Sequence, residues 1–278
     1  MDRPVSDLLR VEPGSGMVDL LSIDPRSTPG TDSEKAGAAV EAIRERLATL
    51  QGQLFAQGRS GSERRVLIVL QGMDTSGKGG AAKHIAGLMN PVGLRITGFG
   101  KPTEQELEHD FLWRIEQALP AAGLIGVFDR SHYEDVLIVR VHDLVPPEQW
   151  QARYDQINTW EAGLVGQGVV LVKVMLHVSH DEQRKRLLAR LDDPTKHWKV
   201  NPGDISERAH WDAYRSAYQV LLERCSTQAA PWHVIPADRK WYRNWALSQL
   251  LLETLESMDL TWPTPDLDFE AMRKALGG

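Results

Sequence analysis

From residue 34 to about 57, the apolar positions Ala39, Val40, Ile43, Leu47, Leu50 and Leu54 recur at spacings of three and four, which predicts an amphipathic helix ended by Gly58 to Gly61. Beyond it the pattern changes. Four short apolar runs, at 66–70, 94–99, 124–128 and 169–176, are continuous rather than alternating and rich in β-branched residues, with a further candidate at 233–236. Continuous apolarity is what a parallel strand shows when both of its faces are covered. Between and after these runs lie helical stretches at 78–89, 104–119, 147–167 and 179–191. Strands alternating with helices predict an α/β fold, a parallel sheet doubly wound with helices on both faces. Residues 1–35 mix Pro, Gly, Ser and Asp without periodicity and read as an extended, loosely attached arm, available to a partner subunit. The remainder, 36–278, shows neither a repeat nor a linker and reads as a single domain.

Composition narrows the class. With 42% hydrophobic and 25% charged residues, the 278-residue chain has the make-up of a globular protein with a substantial core. A net charge of −6 argues against nucleic acid as a partner, so any anion site must be local. No apolar run reaches membrane-spanning or signal-peptide length, and the single Cys225 cannot form an internal disulfide. These features point to a cytoplasmic protein with no membrane partner, and to Cys225 as a helix-packing residue.

The first apolar run opens into Gly72-x-x-x-x-Gly77-Lys78 at the start of a predicted helix. Such a loop cradles phosphate: Gly72, Gly77, Gly79 and Gly80, with Thr75 and Ser76, let backbone N–H groups converge on phosphate oxygens, and Lys78 adds charge. Where the usual nucleoside-triphosphatase loop has a Ser or Thr for Mg²⁺, this chain has Gly79. Asp74, inside the loop, is the candidate to take over the metal. Lys83 either faces the same channel or lies on the surface.

Two later segments add chemistry. Asp129 closes the third strand run, where a metal-orienting aspartate belongs, although Asp also serves there as a helix cap. Arg130 beside it offers a planar cation for phosphate oxygens or a salt bridge to Glu134. His132 and Glu134 are weaker candidates for the nucleotide. After the second strand, Lys101 and Pro102 stand where an acceptor would be met, or form an ordinary turn. Ser179 with Glu182 reads as a capping box opening a helix on which Arg186 and Arg190 share a face. Six basic residues between 184 and 199, Lys196 and Lys199 among them, suggest a cationic lid over an anionic donor, spanning about 179–210.

Taken together, 72–79 (GMDTSGKG), 128–135 (FDRSHYED) and 193–199 (DPTKHWK) resemble the motifs of the family-2 polyphosphate kinases, a resemblance covering about residues 35 to 260. It implies a three-layer α/β/α P-loop kinase fold related to thymidylate kinases, with a helical lid. It also implies reversible, Mg²⁺-dependent phosphoryl transfer between inorganic polyphosphate and nucleotides, with Mn²⁺ as a substitute ion, and a homo-oligomer of two or four subunits. Asp74 and Asp129 match the family's metal-associated aspartates, Lys78 its loop lysine and Arg130 its second-motif arginine; either Arg186 or Arg190 matches the lid arginine. Many members acting on ADP or GDP carry Trp-Tyr-Asn-Arg after the second-motif serine. The His132-Tyr-Glu-Asp135 of this chain is similar to the subgroup that accepts both AMP and ADP. The alternatives are an ATP-dependent nucleoside monophosphate kinase of the thymidylate-kinase type, and a non-catalytic module that binds phosphate.

Overall fold

The structure, a computed structural model, describes residues 3–16 and 18–277; residues 1, 2, 17 and 278, part of the predicted arm and the last residue of the domain, lie outside the described residues. Five parallel strands, β1 (Arg65–Gln71), β2 (Leu94–Gly98), β3 (Ile125–Asp129), β4 (Val169–His177) and β5 (Trp232–Pro236), are ordered β2-β3-β1-β4-β5. The helices in chain order are α1 (Val5–Leu9), α2 (Ser33–Arg59), α3 (Lys78–Leu88), α4 (Glu104–Leu107), α5 (Trp113–Ala118), α6 (Ile138–Val141) and α7 (Pro147–Gly166). They continue with α8 (His180–Leu191), α9 (Pro202–Glu207), α10 (Trp211–Cys225), α11 (Lys240–Glu256) and α12 (Phe269–Ala275).

The period of two in β1 divides the core. Val66, Ile68 and Leu70 pack with Leu47 and Leu54 of α2, Ile85 of α3 and Leu251 of α11. Leu67 and Val69 face the other way, onto Ile115 of α5, Tyr154 and Ile157 of α7 and Leu221 of α10. This is the three-layer arrangement that the continuous apolar runs predict for β1, β3, β4 and β5, whose residues are largely covered. The run at 94–99 instead forms the edge strand β2, with Arg95, Ile96 and Gly98 exposed because one of its sides has no neighbouring strand. Cys225 is fully buried at the end of α10, its thiol pushed up to about 12 by burial, in keeping with a packing role.

Two expectations change. The single helix predicted over 104–119 is broken into α4 and α5, because Asp110 accepts at its carboxylate from Leu112 N–H (2.9 Å) and at its carbonyl from Trp113 N–H (2.9 Å), starting a new turn. The N-terminal segment is also fastened rather than loose. Val5 and Ser6 N–H groups donate to the Glu253 carboxylate of α11 at 2.7 and 2.8 Å, Val11 N–H donates to Trp232 O (2.8 Å), and Arg10 bridges His233 antiparallel. The segment thereby covers the β5 edge, which would otherwise present unpaired backbone groups.

The register aligns the carboxyl ends of the strands: Leu70 lies beside Asp129 and Asp129 beside Gly98. The chain moves from β3 on one side of β1 to β4 on the other, so the loop after β1 sits at the switch point where such sheets bind ligands. No helix among the described residues is long and apolar enough to cross a membrane.

His233 in β5 supplies a test of the core. Burial pushes its imidazole down to about 4, against the hydrogen bond to Lys173 O (3.3 Å). The unfolded chain therefore binds the proton more tightly, and stability that is complete above about pH 6.5 falls as pH drops toward 4, by about 3 kcal/mol from this group. His233→Leu should flatten that limb of the denaturation midpoint against pH, and an unchanged acid limb would remove His233 as its source.

Candidate active site

The loop after β1 depends on conformations that favour glycine. Gly72 has φ +149° and Gly77, the N-cap of α3, φ +107°. A Cβ at Gly72 would come within 2.6 Å of Leu176 O, and one at Gly77 within 2.3 Å of Arg243 Nη1. The loop is then held from several elements at once. Lys78 Nζ donates to Gly72 O (2.7 Å) and Met73 O (3.2 Å), while Arg186 Nη1 of α8 donates to Thr75 O and Ser76 O, both 2.9 Å. Arg243 Nη1 of α11 donates to Gly77 O at 3.2 Å, and Gln183 Nε2 to Asp74 O at 3.1 Å. Tyr218 of α10 accepts from Gly72 N–H at 3.0 Å. Thr75 Oγ1 and Ser76 Oγ are buried without a hydrogen-bond partner among the described residues.

Opposite the loop stands the turn after β3. Arg130 holds φ +68°, its N–H donating to Leu70 O (3.1 Å) and its Nη2 to Asp74 Oδ1 (2.9 Å). The pairing is thus with Asp74, not the Glu134 salt bridge weighed from sequence. Asp129 Oδ2 lies 3.4 Å from where a Cβ on Gly79 would stand. A serine in the ordinary position would occupy the space in front of this carboxylate.

The charges are strongly coupled. Burial, helped by Arg130, pushes the Lys78 ammonium below its ordinary value, although Asp74, Glu134 and Asp129 act in the opposite sense. Arg130 is held above its ordinary value despite burial, because Glu134 and Asp74 face it. Burial raises the Glu134 carboxyl more than Arg130 and Lys78 lower it. The Gln71 amide, with its nitrogen toward Glu134 Oε1 (3.0 Å) and its oxygen toward Ser131 Oγ (3.1 Å), fixes that side chain. Between the loop, the turn and residues 201–218 lies a cavity of about 230 Å³, lined by Lys78, Arg130, Glu134, Asp204, Trp211 and Tyr214 among others.

Several predicted residues lie elsewhere. His132 is wholly buried with Nε2 3.2 Å from Glu161 Oε1, so it cannot contact a nucleotide in the cavity: the turn directs Arg130 and Glu134 outward and His132 inward. Lys83 is exposed in a separate groove with Arg44 and His84 on the outer side of α3. Lys101 is exposed, and neither it nor Pro102 lines the cavity. Arg190 pairs with Asp204 (3.0 Å), Lys196 with Asp193 (2.7 Å), and Lys199 lies 4.8 Å from the exposed Trp198 ring. Ser179 caps α8, accepting from Glu182 N–H (3.1 Å), but the reciprocal arm of the box is absent: Ser179 N–H goes to Asp238 and the Glu182 carboxylate to Arg186. Tyr218, Gln183 and Arg243 were not foreseen. They sit in helical patterns that read as ordinary packing or surface, and no local motif marks them.

Among the described residues, no three His, Cys, Asp or Glu side chains converge as a metal site. Asp74 and Asp129 are hard oxygen donors beside the phosphate loop. That fits an ion such as Mg²⁺, which keeps several waters and takes one or two carboxylates together with substrate phosphates.

Comparison with known proteins shows the family of the chain. The family model for polyphosphate kinase 2 matches residues 31–263. An AMP/ADP-polyphosphate phosphotransferase of Meiothermus ruber is 45% identical over 259 residues, covering 92% of this chain and 95% of that one. An ADP-polyphosphate phosphotransferase of Rhodopseudomonas palustris is 43% identical over 231 residues, or 79% and 78% of the two chains. The crystal structure of polyphosphate kinase 2 from Arthrobacter aurescens TC1 superposes with a TM-score of 0.94 at 50% identity, covering 99% of this chain and 97% of that one.

The Tyr218 hydroxyl gives a direct test of how the loop is held. Tyr218→Phe leaves the buried Gly72 N–H without its acceptor and should cost about 1–3 kcal/mol in chemical denaturation. A variant as stable as the parent would show that the loop does not depend on this bond.

Proposed function

The chain belongs to the polyphosphate kinase 2 family, and we propose that it transfers the terminal phosphoryl group of inorganic polyphosphate to AMP and ADP, with Mg²⁺ as the metal. One observation carries the reading. Lys78, Arg130, Arg186 and Arg243 gather at a single phosphate loop whose Thr75 and Ser76 hydroxyls have no hydrogen-bond partner among the described residues. Donor and acceptor are both polyanions, and like charges at about 4 Å repel by roughly 1–4 kcal/mol per pair even when screened. Cations fixed in advance offset that repulsion and stabilise charge on the group in flight.

The acceptor's terminal phosphate oxygen is already ionised near neutral pH, so no side chain has to remove a proton. That oxygen bonds to the terminal phosphorus of the chain, the bridging P–O bond breaks, and the shortened polyphosphate leaves with the electron pair. Lys78 and the loop N–H groups orient the donor, and Arg130 neutralises the oxygens between donor and acceptor. Asp74 and Asp129 would hold Mg²⁺, which when bound supplies further charge neutralisation at the phosphate oxygens. Residues 179–210 serve as the lid: Arg186 and Gln183 tie its first helix to the loop, and Arg190–Asp204 and Arg208–Gln183 (2.6 Å) fold it on itself.

The rest of the cavity lining suits a nucleoside. Glu134, Asp204 and Glu207 repel a polyphosphate chain but accept hydrogen bonds from ribose or base, and Trp211 and Tyr214 offer aromatic surface. Of the segment that distinguishes the subgroup accepting AMP and ADP, Glu134 lines the cavity, whereas His132 and Tyr133 are buried and Asp135 pairs with Arg153 at 3.2 Å; this supports Glu134 as the acceptor contact.

Incubation with AMP or ADP, Mg²⁺ and polyphosphate, without added ATP, should yield ADP and ATP; turnover only when ATP is supplied as donor would overturn the reading in favour of an ATP-dependent monophosphate kinase. Asp129→Asn should lower kcat by at least about 100-fold with an unchanged melting temperature, the scale seen when one fixed electrostatic contribution is lost. A parent-like rate would exclude Asp129 from the reaction.

A further inference from the structure

Beneath the turn that carries Arg130 and Glu134 lies a pair of opposite charges sealed from solvent. Lys173 of β4 and Glu161 of α7 are 0% and 1% exposed, with Nζ 2.6 Å from Oε2. Each donor of the ammonium is used: Glu161 Oε2, Tyr133 Oη (2.9 Å) and Cys225 O (2.7 Å) at the end of α10. The other carboxylate oxygen accepts from Tyr133 Oη (2.7 Å) and His132 Nε2 (3.2 Å). Burial pushes the His132 imidazole below its ordinary value, and Lys173 and His132 hold the Glu161 carboxyl below its own in spite of burial.

Such a pair is a poor device for stability alone. Desolvating two charges costs several kcal/mol, and well-packed apolar residues often serve the core as well or better. What apolar residues cannot do is accept two directional hydrogen bonds from consecutive side chains. Those side chains, His132 and Tyr133, begin two residues after Arg130, whose φ of +68° is strained for a non-glycine residue. Upstream of that strain the chain is pinned by the β3 ladder and by Arg130 N–H on Leu70 O. Downstream, Glu161 and Lys173 hold the other end.

We propose that Glu161 and Lys173 are positioning residues for phosphoryl transfer: by gripping His132 and Tyr133 they fix the strained turn that presents Arg130 and Glu134 to the cavity. The pair touches no substrate, and its role rests on the reading of Arg130 as a ligand of the transferred phosphoryl group. Because Lys173 also grips the end of α10, the grip joins this turn to the helix whose Tyr218 holds Gly72.

The test is the double variant Glu161→Leu/Lys173→Met, which removes both charges and the acceptor of His132 and Tyr133 together and leaves neither charge unpaired. Its kcat with AMP and polyphosphate should fall at least about tenfold while both KM values stay within about twofold, the pattern of an interaction that matters in the transition state. In an Arg130→Ala background the same pair of changes should cost almost nothing further, since the residue it positions is gone. A double variant with parent-like kcat, or an equal loss in both backgrounds, would overturn the proposal. If the double variant does not fold, Tyr133→Phe, which removes one hydroxyl from the grip and keeps the ion pair, is judged by the same two comparisons. Parent-like activity of Arg130→Ala alone would instead sink the reading of Arg130, and this inference with it.

Discussion

The phosphate loop gathers four cations, Lys78, Arg130, Arg186 and Arg243, from separate parts of the fold, with Asp74 in the loop paired to Arg130. Arg186 and Arg243 approach the same residue, Gly77, from α8 and α11; Arg186 has Glu182 at 2.9 Å, but Arg243 has no carboxylate partner among the described residues. Burial and the neighbouring Arg186 push the Arg243 guanidinium down to about 10. Lys78, Arg186 and Arg243 are each held by neutral acceptors, the carbonyls of Gly72, Met73, Thr75, Ser76 and Gly77. Carbonyl dipoles can orient a cation without cancelling its charge, so these groups keep their charge for an arriving anion. Much of the surrounding architecture serves that requirement. Positive φ at Gly72, Thr75 and Gly77 shapes the loop, and α8 and α11, which follow β4 and β5, reach it with Arg186 and Arg243.

The difference between what the sequence discloses and what it conceals follows from range. The strands are legible because most are short, predominantly apolar runs fixed by their own residues. The phosphate loop is legible because its function needs particular residues at adjacent positions. The second motif can be located, but not the direction in which each side chain points: from the string alone His132 and Glu134 look equivalent, and only the turn puts one against Glu161 and the other in the cavity. Arg243 meets Gly77 across 166 residues and Tyr218 meets Gly72 across 146. Such contacts leave no spacing to read. The N-terminal segment fails for a different reason: Val5, Leu9, Val11 and Leu20 are buried, but too few and too unevenly spaced to show a period, and what fixes them is the need to cover the β5 edge.

The break between α4 and α5 has a related origin. Helical periodicity measures which residues would share a face, whereas Asp110 offers its neighbours a competing set of hydrogen bonds that ends one helix and begins another. Ser179 shows the same competition at the level of a single cap. Its pairing with Glu182 is legible as a motif, yet Glu182 is drawn to Arg186, and Asp238, from beyond β5, takes the place of the missing carboxylate.

Gly79 shows what the chain does with the freedom such a loop allows. A side chain there would stand in front of Asp129, so its absence leaves that carboxylate open toward the start of α3. The second carboxylate, Asp74, is instead occupied by Arg130 at 2.9 Å. Any cation drawn to Asp74 therefore meets a guanidinium already bound there, and the two must share the carboxylate or separate. Separation would free Arg130 toward the phosphates, but only if its backbone stays fixed while the side chain moves. The ladder of β3 on one side and the buried grip of Glu161 and Lys173 on the other supply that fixity, so the least accessible charges in the protein bear on its most exposed chemistry.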